Sequence, residues 1–251
     1  MPDAGAAGAG DAGTPVRPGV LYGVGIGPGD PELITVKAFR ILKQSPVIAY
    51  PRKRMGAQSY ALTIIEMYVN PREKEMLGLT FPMTRDREAL STQWNQTVDT
   101  VWARLREGQD VAFVTEGDPM MYSTFIHLMR LMREQHPEVE ARVIPGISSM
   151  LAAASRLGQP LADGDEQIAI VPAVDDAAVL RKALTEHDCV VFIKVAKVID
   201  TVLGVLEELG LTEKAAVLTK VSSSEEQVWL DVRELAGRGL EYLTLMVVRT
   251  R

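Results

Sequence analysis

Residues 22–32 read YGVGIGPGDPE and follow directly on the apolar pair Val20 and Leu21. Gly23, Gly25, Gly27 and Gly29 alternate through this stretch, with Pro28 between the last two. Glycine has no Cβ, so such a loop can turn tightly and bring bare backbone against a ligand. The spacing is not that of a dinucleotide fingerprint. Counted from Gly23, G-x-G-x-x-G requires glycine at 28 and meets Pro28; counted from Gly25, the third glycine falls on Asp30. Pro28 also lacks the N–H that a phosphate cradle uses. Taken alone, the loop is equally a structural strand-to-helix turn. The following segment sets Ile34, Ala38, Ile41 and Leu42 on one helical face, so strand, glycine loop and helix form one α/β unit.

Three further stretches carry the same signal. Residues 111–122 read VAFVTEGDPMMY, an apolar strand followed by Glu116, Gly117, Asp118 and Pro119. Residues 143–150 read VIPGISSM, and residues 189–195 read CVVFIKV with Lys194 near the strand end. Small and polar residues at the carboxyl ends of strands are where open α/β sheets bind ligands. Several such ends in one chain point to one shared site. For Asp118, and still more for Asp30, a turn or helix-cap role competes with ligand binding.

These segments carry a family resemblance. GVGIGPGDPELITVKA, VTEGDPMMY and VIPGISSMLAAASRLG together resemble the tetrapyrrole methylases, from about Gly19 to the C-terminus. Val47-Ile48-Ala49-Tyr50-Pro51, Phe81-Pro82-Met83-Thr84 and EGDPMMYSTF are similar to the branch that methylates precorrin-2 at C20. The branch acting on uroporphyrinogen usually has aspartate where Pro51 stands, and an arginine and glutamates beyond GDP, where this chain has Ser123, Thr124, Phe125 and His127. The resemblance implies two α/β domains with open, partly parallel sheets and a cleft site between them. It implies S-adenosylmethionine as methyl donor, a precorrin-2 acceptor and a homodimer. It implies that Pro28 packs on the donor, that Glu116, Gly117 and Asp118 contact it, and that Met121, Ser148 and Ser149 touch it. Lys194 stands where many relatives have methionine and Ser222 where some have glycine, so contacts there are expected through the main chain.

Composition bounds the remaining possibilities. The 251 residues are 47% hydrophobic and 24% charged, enough for one large or two modest domains with a real core. A formal net charge of −6 argues against a general nucleic-acid binder. The single cysteine, Cys189, excludes an internal disulfide framework and reads as a buried strand residue. No apolar run reaches the roughly 20 residues that span a bilayer. Residues 1–18, rich in Gly, Ala and Pro, read as a disordered tail rather than a signal peptide, and the chain as cytoplasmic. His127, His136 and His187 show no metal-ligand spacing, so no bound metal is expected. His127 lies beside the proposed site, but its helical setting also suits a surface or core histidine.

Periodicity predicts strands at 20–24, 47–50, 111–115, 142–144, 167–172, 189–194, 215–221 and 242–249, with a short one at 227–230. Helices are expected at about 89–107, 122–134, 148–157, 175–186 and 198–209, with Gly108 and Gly158 as stops. Trp94, Val98, Val101, Trp102 and Leu105 share one face of the first of these, and Phe125, Leu128, Met129 and Met132 one face of the second. The polar segment 135–140, QHPEVE, is read as the boundary between an N-terminal domain at 19–136 and a C-terminal domain at 140–251.

Precorrin-2 carries many carboxylates, and a net-acidic protein must meet them with local positive charge. Arg52, Lys53 and Arg54 follow the second strand, and Arg85 and Arg87 follow FPMT. Arginine pairs bidentately with carboxylates, although a solvated charge run has the same look. Other readings stay open: the cobalt-containing form of the same acceptor, a nicotinamide-dependent oxidoreductase, and a non-catalytic S-adenosylmethionine sensor.

Overall fold

The computed structural model describes residues 16–52, 59–81 and 87–251, the side chains of Arg87 and Ala89 excepted. Most of the tail reading, together with Lys53, Arg54 and Arg85, lies outside these residues.

The first half is a five-stranded parallel sheet. Its strands are β1 (Leu21–Gly25), β2 (Val47–Arg52), β3 (Glu75–Thr80), β4 (Val111–Thr115) and β5 (Ala141–Ile144), in the order β3-β2-β4-β1-β5. Alternation along the strands divides the core into two layers. Leu21, Val47, Ala49, Val111 and Phe113 pack against α3 (Arg87–Leu105) and α4 (Phe125–Gln135). Tyr22, Val24, Ile48, Ala112 and Val114 face α1 (Val36–Gln44) and α2 (Tyr60–Ile65). Thr35 starts α1 by accepting a hydrogen bond from Ala38 N–H at 3.1 Å, the Ncap geometry its residue type favours. Gly23 lies inside a strand because Phe125 of α4 occupies the space a Cβ would need.

The second half is a mixed sheet of β6 (Ile168–Pro172), β7 (Cys189–Ile193), β8 (Ala215–Thr219), β9 (Gln227–Trp229) and β10 (Thr244–Arg249), in the order β6-β7-β10-β8-β9. β10 runs antiparallel to both neighbours, while β6 and β7 are parallel. Val190, Phe192, Val217, Met246 and Val248 pack under α6 (Ala177–Glu186) and α7 (Ile199–Glu208). The opposite face, with Val191, Leu218, Leu245 and Val247, receives Ala152 and Ala153 of α5 (Ser149–Leu157). Cys189 lies fully buried on this face, and burial pushes its thiol pKa up, away from the reactive thiolate.

One placement corrects the sequence reading. The strand at 142–144, expected to open the second half, pairs in parallel with β1 and closes the first sheet. The change of sheet therefore falls after Ile144, and α5 carries the chain onto the second sheet. Two elements had no sequence expectation, namely α2 and β3. No described helix is long and apolar enough to cross a membrane.

Candidate functional site

Because the first sheet is parallel, all its carboxyl ends lie on one edge. β4, β1 and β5 are adjacent there, so three of the singled-out loops meet. Ile26 N–H donates to Thr115 O at 3.1 Å, and Gly117 N–H donates to Gly27 O at 2.8 Å. Asp118 then ties in the third loop: its Oδ2 accepts from Gly146 N–H at 3.0 Å and its Oδ1 from Met120 N–H at 2.8 Å. The glycines make this junction possible. A Cβ on Gly25 would lie 2.6 Å from both Gly117 O and Gly146 N. The sequence reading expects these glycines to bring bare backbone against a ligand; at positions 25 and 146 the close approach is to the protein's own backbone.

The second half closes on the same edge. Ser222 accepts a hydrogen bond from Asp30 N–H at 3.0 Å, and Val221 O presses against Gly29. Asp30 itself caps the turn Pro31–Leu33 through a bond from Glu32 N–H at 2.8 Å, so the cap reading holds for it. Pro28, in the same loop, is buried. Lys220 lies in the same loop, and its Nζ holds Glu225 at 2.7 Å and Glu241 at 2.8 Å.

Backbone strain concentrates here. The four described non-glycine residues with positive φ are Tyr122 (53°), Lys194 (59°), Lys220 (46°) and Ser222 (67°). Each costs about 1–2 kcal/mol relative to ordinary backbone. All four follow strand ends on this edge, two of them the predicted Lys194 and Ser222. Strain of this kind clusters at ligand sites, where surrounding packing enforces it.

Between the halves lies a cavity of about 610 Å³. Met120 through Thr124, Ile126 and His127 line one side, and Lys194 and Tyr242 the other. The size suits a small-molecule site. Lys194 Nζ sits 5.7 Å from the centroid of the Tyr122 ring, bridging the two halves. His127 is exposed on the cavity wall, its ring 5.5 Å from that of Trp94.

Glu116 is partly exposed at the end of β4. Burial raises its pKa above the ordinary carboxyl range, opposed by N–H donation from its own backbone and from Ala61. Burial also raises Tyr242 and Tyr60, and the Glu116 charge adds to both shifts. Tyr60 Oη is buried against Ser223 and beside Gly29, with no well-directed hydrogen bond to a described residue. A carboxyl tilted toward its protonated form and an orphaned hydroxyl are suited to a ligand with its own polar groups.

Of the other predicted residues, Met121 lines the cavity. Ser148 precedes α5 without using its hydroxyl as a cap, and Ser149 opens that helix. Arg52 turns outward along the sheet edge: its Nε donates to Thr80 Oγ1 on β3 at 3.4 Å, away from β4. Arg87 begins α3. Among the described residues, no group of three or more His, Cys, Asp or Glu could hold a metal ion.

Sequence reasoning missed Tyr60, Tyr122 and Tyr242. Tyr242 precedes β10, which runs antiparallel, so its amino end lies on the edge where the parallel strands have their carboxyl ends. A search restricted to carboxyl ends passes over it. Tyr122 is distinguished by its backbone conformation, which residue type alone does not announce.

Residues 20–236 match the family described as Tetrapyrrole (Corrin/Porphyrin) Methylases. The chain is 38% identical over 200 residues to a probable cobalt-precorrin-2 C(20)-methyltransferase of Methanocaldococcus jannaschii, covering 78% of this chain and 82% of that protein. It is 33% identical to the cobalt-precorrin-2 C(20)-methyltransferase of Salmonella typhimurium, covering 92% and 96% respectively. It is 32% identical to the precorrin-2 C(20)-methyltransferase of a Sinorhizobium species, covering 92% and 95%. Among solved structures, a cobalt precorrin-4 methyltransferase superposes with a TM-score of 0.69 at 24% identity, over 91% of this chain and 93% of that one. A uroporphyrin-III C-methyl transferase from Thermus thermophilus, complexed with S-adenyl homocysteine, gives 0.64 at 22% identity, over 92% and 98%. The glycine junction, the partly parallel two-sheet architecture and these matches lead to one conclusion: the chain belongs to the tetrapyrrole (corrin/porphyrin) methylase family.

Proposed function

We propose that this chain is an S-adenosylmethionine-dependent C-methyltransferase that converts precorrin-2 to precorrin-3A by methylation at C20, in cobalamin biosynthesis. The observation that carries this reading is the match, over at least 78% of the chain, to proteins named for that position of precorrin-2 or its cobalt form. The cobalt-loaded macrocycle is the second reading, because two of the three relatives carry that name.

The bound donor supplies a methyl group on a sulfonium and leaves as the neutral thioether. The chain's part is to hold, align and dry the reacting pair, and alignment alone contributes up to about 7–11 kcal/mol to lowering such a barrier. Pro28, Gly117, Ser148, Ser149 and Ser222 form the donor wall, supported by the strained loops and by Asp118. Glu116 and Met121 complete it, with the orphaned Tyr60 hydroxyl near. The macrocycle's carboxylates fall to the basic group Arg52, Lys53, Arg54, Arg85 and Arg87. The two halves are two domains joined through Ile144–Ser149. The enzyme works as a cytoplasmic homodimer without bound metal, nucleic-acid partner or membrane.

Turnover tests this reading. Release of S-adenosylhomocysteine is measured with precorrin-2, cobalt-precorrin-2 and uroporphyrinogen III as acceptors. Precorrin-2 is expected to be turned over and uroporphyrinogen III is not. The reverse pattern overturns the proposal.

A further inference from the structure

Lys194 and Lys220 lie on the same edge of the second half, both with left-handed backbone. Their surroundings differ. Lys220 is saturated by two carboxylates, Glu225 and Glu241. Lys194 is exposed on the wall of the 610 Å³ cavity and pairs with no carboxylate of the described residues. Its ammonium rests instead on the Tyr122 ring from the other half, 5.7 Å from the centroid. In a chain of net charge −6, a cation left without an anionic partner at the cavity wall is poised for a ligand anion.

The two candidate ligands differ in charge. S-adenosylmethionine carries one carboxylate against an ammonium and a sulfonium, so it is a net cation that a nearby lysine disfavours. A polycarboxylate macrocycle is a strong anion that the same lysine attracts. We infer that Lys194 binds a carboxylate of the tetrapyrrole acceptor, and that the Tyr122 ring holds the ammonium across the cleft until the acceptor arrives. This extends the proposed function and rests on it: it moves the Lys194 side chain from the donor contacts that the family resemblance implies to the acceptor side. It also supplies from the second half a cation that the basic group of the first half does not provide. A cation–π contact is weak at an exposed site and readily exchanged for a charge-assisted hydrogen bond.

Full-length wild type, Lys194→Gly and Lys194→Arg are compared. Glycine removes the charge and suits the left-handed backbone, so this variant is expected to fold. Uroporphyrin III, a stable polycarboxylate porphyrin, is the acceptor probe by fluorescence quenching, and S-adenosylhomocysteine is titrated calorimetrically. Lys194→Gly is expected to weaken porphyrin binding about three- to tenfold, flatten its salt dependence and leave S-adenosylhomocysteine affinity within about twofold. Lys194→Arg is expected to restore most porphyrin affinity. In turnover, the Michaelis constant for precorrin-2 rises in Lys194→Gly while kcat changes little. If wild type binds both probes and Lys194→Gly binds porphyrin equally well, the lysine assignment falls and the methyltransferase reading stands. A loss of S-adenosylhomocysteine affinity matching the porphyrin loss also overturns it, returning Lys194 to the donor wall. A wild type that binds neither probe removes both inferences.

Discussion

Replacing Gly25 by alanine tests whether the three strand-end loops are locked by backbone contact. The added methyl would lie 2.6 Å from Gly117 O and Gly146 N and 2.7 Å from Gly146 Cα. All three are backbone atoms in loops tied by the Gly117–Gly27 and Gly146–Asp118 hydrogen bonds, so no side chain can rotate aside. Overpacking typically costs about 1–3 kcal/mol, and a clash with fixed backbone belongs at the upper end. For a chain of this size, about 3 kcal/mol lowers Tm by about 6–12 °C. The shift of the loops should also weaken S-adenosylhomocysteine binding at least about tenfold, since the proposed donor wall is built on them. Urea denaturation gives the stability difference and calorimetric titration gives the affinity. A Gly25→Ala protein with Tm within about 1 °C of the parent and unchanged affinity would refute the backbone-lock reasoning.

Three further outcomes are expected. Gly204 lies exposed in α7 with nothing within 4 Å of an added Cβ, so Gly204→Ala should stabilise by about 0.5–1 kcal/mol and raise Tm by about 1–4 °C; a drop in Tm contradicts the open-space reading. The folded pKa of Glu116 is raised, so its favourable linkage is present at low pH and lost as pH climbs from the ordinary glutamate range, about 4.3, through the folded value. Glu116→Gln should therefore gain stability relative to wild type as pH rises over that window, and parallel Tm-versus-pH curves would count against a raised carboxyl pKa. Replacing Arg52, Lys53 and Arg54 together with alanine should raise the Michaelis constant for precorrin-2 and leave donor affinity nearly intact; unchanged substrate kinetics at low salt would make the cluster a solvated surface run.

Long periodic segments were legible in the sequence because burial dictates them. Phe125, Leu128, Met129 and Met132 recur at helical spacing and are all buried in α4, and the apolar runs at 111–115 and 215–219 are fully buried strands. Short or edge elements were not. α2 has six residues, too few to show a helical period, and β3 is an edge strand, EMLGLT, whose Gly78 makes room for the Arg52 side chain. The segment 142–144 was recognised as a strand, but its sheet depends on pairing with β1, a long-range choice that local pattern does not encode. At the site, the glycine and Asp118 positions were readable as punctuation. The left-handed conformations of Tyr122, Lys194, Lys220 and Ser222 were not, because tertiary packing imposes them against residue preference. The amino-end position of Tyr242 depended on the direction of β10.

The most direct measurement is the position of the transferred carbon. The purified protein is incubated anaerobically with precorrin-2 and S-adenosylmethionine carrying a ¹³C-labelled methyl group, and the product is examined by NMR. One new labelled methyl bonded to C20, formed together with an equimolar amount of S-adenosylhomocysteine, is the result expected. A labelled methyl at any other carbon, or no transfer by a protein that binds S-adenosylhomocysteine, would contradict the account.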